Sequence, residues 1–125
     1  AEQPNGVMNG LYCLNSLIFP YYDTANIVEK DWWDKFKSIY GYDPNTGALY
    51  GYIFADILIE AVKRAGKELT VNSFVSSMES IKDFEDPLQT GSVTFSETQR
   101  QGTNISYFFQ VQEERFKVIS GPIAY

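Results

Sequence analysis

Between Tyr50 and Gly66 the chain reads YGYIFADILIEAVKRAG, and its apolar residues form a helical stripe without gaps. Tyr50, Ile53, Phe54, Ile57, Leu58, Ala61, Val62 and Ala65 recur at three- and four-residue intervals, so a helix here presents one apolar face along its length. Glu60 and Arg64 stand one turn apart outside that face, and Gly66 supplies a left-handed stop. Such a face must lie on something. What the rest of the chain offers as that surface is the strongest constraint on its fold.

Upstream, the apolar, aromatic run GLYCLNSLIF predicts a strand from about Gly10 to Asn15 that enters a loop, SLIFPYYDTAN. Asp23, Thr24 and Asn26 each have side chains able to cap the helix that follows. In IVEKDWWDKFKSIYG, Val28, Trp32, Phe36, Ile39 and Tyr40 keep helical spacing, with Ile27 and Trp33 at the margins. Its acids come early and its lysines late, as the helix dipole prefers, and Gly41 ends it. YDPNTG then reads as a turn, punctuated by Pro44 and Gly47. After the opening stretch, Thr70 caps a shorter helix whose face is Val71, Phe74, Val75 and Met78. Past KDFEDPLQT the period changes from helical to alternating. GSVTF reads as a short strand, Gly91 to Phe95, and Ile105, Tyr107, Phe109 and Val111 begin a hairpin that turns at EER and returns through FKVIS.

The expected order is one strand, three helices, a short strand and a C-terminal hairpin, an α/β pattern within room for one domain of 125 residues. The faces do not balance. Three amphipathic helices need a sheet beneath them, one strand is not a sheet, and a lone hairpin is marginal. The chain therefore reads as part of a domain, or as a module that meets its own faces by self-association, most simply as a symmetric homodimer. AEQPNG, which is neither a basic-then-apolar signal segment nor an initiator start, reads as a trimmed start or a cut within a longer protein.

Composition narrows the chemistry. The net charge is −6, with ten Lys and Arg scattered among sixteen acids, so a nucleic-acid or anionic-membrane surface has no basic patch to rest on. No apolar run approaches the ~20 residues of a membrane span. Cys13 is the single cysteine and reads as a packed thiol, which leaves the redox compartment open. Histidine is absent, which removes the commonest general base, the usual partner of a catalytic Ser or Cys, and the usual metal ligand. PNTGALYG lacks the lysine and spacing of a phosphate loop, and no calcium-loop spacing is present. The acid pairs Asp31/Asp34, Asp56/Glu60 and Glu85/Asp86 lie on expected exposed faces or in a loop, where acids are ordinarily solvated. We therefore expect no enzyme, no metal and no cofactor.

Two aromatic features remain. Adjacent positions on a helix point about 100° apart, so Trp32 fits the core and Trp33 its edge, the alternative being a stacking platform for a ligand. NSLIFPYYD follows the end of a strand, where open α/β sheets hold their ligands. There Asn15 and Ser16 could hydrogen-bond a polar group, with Phe19 and Tyr22 as an apolar wall and Tyr50 beside them. A loop of merely packing aromatics fits the same residues.

The stretch FKSIYGYDPNTGALYGYIFADILIEAVKRAG resembles type I periplasmic solute-binding proteins, the Leu/Ile/Val-binding or extracellular ligand-binding receptor family. Phe36, Tyr40, Gly41 and Pro44 match one phrase of that family, and Tyr52, Leu58, Ala61, Ala65 and Gly66 a second. Phe54 departs, standing where the family usually has a small residue. The likeness runs on in register through LTVNSFVSSMES, GSVTF and the terminal hairpin. It implies the C-terminal portion of a two-lobed fold, with residues of about 7–90 first-lobe-like and 91–125 holding a crossing strand and the hairpin. It further implies a periplasmic or extracellular solute-binding component of an ABC-type importer. Its partners would be a small-molecule ligand, by default an amino acid or related carboxylate held by lobe closure, and a membrane permease.

Overall fold

The computed structural model describes residues 6–88 and 91–125, so the reading of AEQPNG lies, Gly6 apart, outside the described residues. Along the chain come β1 (Tyr12–Asn15), α1 (Ile27–Tyr40), α2 (Thr46–Ala65), α3 (Val71–Glu79), β2 (Ile105–Gln112) and β3 (Arg115–Ala124). The backbone divides into two compact units. One joins Ala1–Ile18 with Asn104–Tyr125, and the other is Phe19–Thr103.

In the first unit β1, β2 and β3 form an antiparallel sheet in that order, with β2 central. Cys13 lies opposite Phe109, and Val111 opposite Phe116. The alternation expected in β2 appears in its second half, where Phe109 and Val111 are buried, while Ile105 to Phe108 are all half-buried. On the other face the Tyr12 ring stacks on Phe108, 5.5 Å apart, a diagonal cross-strand pair. Pairing continues one step beyond β1 toward the start expected at Gly10, since Gly10 donates to the Val111 carbonyl and Val111 to that of Leu11, both at 2.8 Å. The hairpin turns at Glu113 and Glu114, whose φ of 52° and 62° are left-handed. That is the sense two-residue hairpins need, taken here without the usual Asn or Gly. Opposite the other end of β2, Gly121 has φ 132°, and a Cβ there would come within 2.9 Å of the Tyr107 ring.

The second unit contains the helices. α1 starts at a complete capping box: Asn26 Oδ1 accepts from the Val28 and Glu29 amides at 2.9 and 3.0 Å, while Asn26 N donates to Glu29 Oε2 at 2.7 Å. Gly41, at φ 77°, closes it. Thr70 and Ser73 box the start of α3 in the same way. α2 begins a turn before Tyr50, because PNTG starts the helix instead of turning the chain. Asn45 is the cap, its Oδ1 accepting from Ala48 N at 3.0 Å. Gly47 is tolerated there since first-turn amides have no intrahelical partner to lose.

The helix faces differ from expectation in their burial. On α2 the row Leu49, Ile53, Ile57 and Ala61 is buried, but Phe54, Leu58 and Val62 from the same sequence stripe are exposed. On α3, Val71 is 80% exposed and Val75 exposed, while Ser77 is buried. The reason is what these helices pack against. Among the described residues of this unit no sheet lies beneath them. α2 meets α3, the Trp32 ring of α1 reaches Tyr52 of α2 at 6.2 Å, and Ile81, Leu88 and Val93 complete the core. A short helix and irregular segments cover one row, where a sheet would cover a broad face. GSVTF likewise supplies a single bridge rather than a strand: Val93 pairs with Phe84, whereas Thr94 bonds to Gly102 and Phe95 to Ile81.

Candidate functional site

The residues singled out by sequence fall in both units, and each is described where it stands. In the first unit Asn15 ends β1 and is half-buried; its Oδ1 accepts from Leu17 N at 3.4 Å and so shapes the exit from the strand. Ser16, half-buried, follows it. Cys13 is half-buried within β1, in keeping with a packing role.

In the second unit Phe19 and Tyr22 come together through a residue that the loop reading did not include. The ring of Trp33 lies 5.6 Å from Phe19 and 5.9 Å from Tyr22, and Tyr21 meets Phe19 edge-on at 5.3 Å. Trp32 is buried and Trp33 half-buried, as the 100° step between them predicts, so the edge tryptophan is the hub of the cluster. Its signal in the sequence was its neighbour's place in the core. Polar groups ring these aromatics. Trp33 Nε1 donates to Asp43 Oδ1 at 3.2 Å, the Tyr22 hydroxyl donates to Asp34 Oδ2 at 3.3 Å, and Lys30 Nζ stands 5.7 Å from the centre of the Tyr22 ring. Asp43 also pairs with Lys37 at 2.8 Å. The Lys37 ammonium first, and the indole N–H second, hold the Asp43 carboxyl below its usual range. Tyr50 sits in the second turn of α2, half-buried, with its ring 5.5 Å from Phe54. Together Phe19, Tyr21, Tyr22 and Trp33 make an aromatic surface with a charged edge, suited to contact with an apolar or planar group.

Of the carboxylates expected to be solvated, two are held by basic side chains and Asp86 is buried. Asp31 is held by Lys35 and Glu60 by Arg64, each one helical turn away at 2.6 and 2.7 Å. Asp86 contacts Asp56, thirty positions away. No group of three or more His, Cys, Asp or Glu side chains that could hold a metal occurs among the described residues, and none of the helices is long and apolar enough to cross a membrane.

Comparison with known proteins adds the larger context. No curated protein matches the chain. Solved structures do. A branched chain amino acid ABC transporter from Thermus thermophilus with bound valine superposes with a TM-score of 0.76 at 16% identity, covering 94% of this chain and 34% of that one. A possible leucine/isoleucine/valine-binding protein from Rhodopirellula baltica gives 0.71 at 18% identity, covering 93% and 31%. A fatty acid ABC transporter substrate-binding protein from Thermomonospora curvata gives 0.71 at 20%, covering 91% and 30%. The chain thus spans about a third of the length of the structures it matches. These likenesses show the fold: three helices and a three-stranded sheet arranged as a portion of a periplasmic binding protein. The family is one of binding proteins rather than enzymes, and its location is periplasmic or extracellular, as the sequence resemblance implied. With the model of periplasmic binding proteins matching residues 2–115, the chain belongs to that family.

Proposed function

We propose that this chain is the C-terminal portion of the solute-binding component of an ABC-type importer, which binds a small carboxylate by lobe closure and has no catalytic activity. The observation that carries this reading is the fold match along nearly the whole chain to proteins of about three times its matched length. The names of those relatives support the ligand class. Valine, leucine, isoleucine and fatty acids all join a carboxylate to an apolar chain. Asn15 and Ser16 as polar groups, and Phe19, Tyr22 and Tyr50 as apolar ones, are the residues we assign to ligand contact. Closure converts differential affinity for ligand into a shape that a membrane permease recognises. On this reading residues 7–90 belong to a first-lobe-like segment and 91–125 to a crossing segment and the terminal hairpin.

A site of this type surrounds its ligand, and a third of the fold leaves charged ends wet. Calorimetry of this chain with branched-chain amino acids and short fatty acids should therefore give no micromolar binding. The full-length product of its gene should give binding with at least one of them. Micromolar binding to the 125-residue chain, or silence of the longer protein toward the whole panel, would overturn the proposal.

One observation favours a second reading, a self-associating module without a small-molecule ligand. Phe54, Leu58 and Val62 form an exposed apolar row on α2, and a second copy offering the same row would cover it as a symmetric homodimer. Light scattering distinguishes the two: a mass near the 14.2 kDa of one chain excludes the dimer.

A further inference from the structure

Asp86 is the most deeply buried charged residue described, 4% exposed in a segment whose flanking Ile81 and Leu88 are core residues. One of its oxygens is satisfied: Oδ1 accepts from the Leu88 amide at 2.8 Å. The other, Oδ2, meets no N–H or O–H donor among the described residues. What stands beside the carboxyl is Asp56 of α2, another acceptor, in hydrogen-bonding contact with it. Two ionised carboxylates have no proton to place between them, so this contact exists only while one is protonated.

The other titratable groups around the pair do not supply a counter-charge. Tyr52, one turn before Asp56 on α2, carries a neutral hydroxyl that burial first, and then the fields of Asp86 and Asp56, hold above its usual range. Lys35 of α1 reaches the field of Tyr52, but its ammonium is engaged by Asp31 at 2.6 Å. The segment's own Glu85 is exposed.

We propose that the protonated, buried Asp86 carboxyl donates to Asp56 and forms a clasp, fastening the 81–88 segment to α2 in acid and releasing it as Asp86 loses its proton. Burial first, and the Asp56 carboxyl beside it, raise Asp86 to about 6. The range over which the clasp opens is therefore one that an extracytoplasmic space can cross. Loss of the proton leaves two negative charges in contact, one of them buried. Turning Asp86 out to water relieves this, and that movement withdraws the acceptor of the Leu88 amide.

Amide hydrogen exchange of Leu88 in the full chain, corrected for the intrinsic pH dependence of exchange, tests the clasp. Protection should be flat below about pH 4, fall between about pH 4 and 6 by as much as ~10-fold per pH unit for a one-proton opening, and level off above that. Asp56→Asn supplies a permanent amide donor to Asp86 and should remove the pH dependence while keeping Leu88 protected. Asp86→Asn should also remove it, so failure of either variant to fold leaves the other. Protection unchanged from pH 4 to 8 in the parent would overturn the proposal, as would an Asp56→Asn profile equal to the parent's. Restoration of protection at pH 8 by millimolar calcium or magnesium chloride would also overturn it, by placing a cation where we place a proton.

Discussion

Truncating Ile53 to alanine and Leu58 to alanine, in separate variants, examines the division of α2 into a covered and an uncovered row. Both residues belong to one stripe in the sequence, and both substitutions delete three carbons from the same helix. Ile53 is 2% exposed and Leu58 52%. Three buried carbons at ~0.8 kcal/mol each give about 2.4 kcal/mol for Ile53, and the cavity left in a packed site brings this to about 3–4 kcal/mol. Leu58 loses about half of the transfer contribution and leaves no cavity, for about 1 kcal/mol. The expected gap is thus about 2–3 kcal/mol, well outside the error of a urea titration at constant m-value. The buried Trp32 supplies the fluorescence signal, and light scattering at the same concentration establishes the mass to which each value refers. Equal costs in a monomer would refute the assignment of rows. A Leu58 cost that grows with protein concentration would instead show this row covered by a second chain.

Other outcomes follow from single positions. Gly121→Ala should destabilise by about 2–4 kcal/mol in a thermal melt, since alanine meets both a φ of 132° and the Tyr107 ring at 2.9 Å. Asn45→Ala should cost about 1 kcal/mol by the same assay, removing the acceptor of the Ala48 amide; no effect would mean that α2 starts elsewhere. Glu114→Gly should stabilise the hairpin by about 0.5–1 kcal/mol, because glycine adopts φ 62° without strain. For Asp86 the sign runs against ordinary carboxylates: its folded pKa of about 6 exceeds the 3.8 of an unperturbed group. Its contribution is present in full below about pH 4 and lost as pH rises through about 6, totalling about 1–3 kcal/mol. Asp86→Asn should flatten that slope in denaturation measured from pH 4 to 8.

Much of the fold is written locally and could be read before any contact was known. Asn26 and Thr70, as caps, and Gly41 and Gly66, as stops, bound their helices through interactions with residues a few positions away. The change of period past Leu88 announces β2 for the same reason. The start of α2 escaped because Pro44 and Gly47 have the composition of a turn, and only the cap geometry at Asn45 distinguishes the two. Which row of α2 is buried is not a property of α2 at all: Phe54 and Ile53 are equivalent until a neighbour is chosen, and the neighbours are α3, the Trp32 ring of α1 and irregular segments. The aromatic cluster was half legible. Phe19 and Tyr22 could be picked out as loop aromatics, but their meeting at Trp33 depends on how the loop folds back on α1. Asp56 and Asp86 were each noticed beside the wrong partner, because adjacency in sequence says nothing of a pairing across thirty positions.

The first unit draws its strands from the two ends of the chain, and this orders its folding in time. β1 ends at Asn15 and its partner β2 begins at Ile105, so pairing them closes a loop of about ninety residues. In an unstructured chain that closure alone costs about 4 kcal/mol in entropy, before any ladder bond repays it. The hairpin of β2 and β3 and the three capped helices need only near neighbours. They form first, and β1 docks last, onto an edge of β2 that stays unpaired until then. During that interval the row from Tyr107 to Gln110 is a template for any extended strand that arrives sooner, including the β1 of another molecule. Refolding yield should therefore fall with concentration even where the finished chain is a monomer, and an excess of a peptide copying residues 10–16 should slow the last phase by competing for that edge.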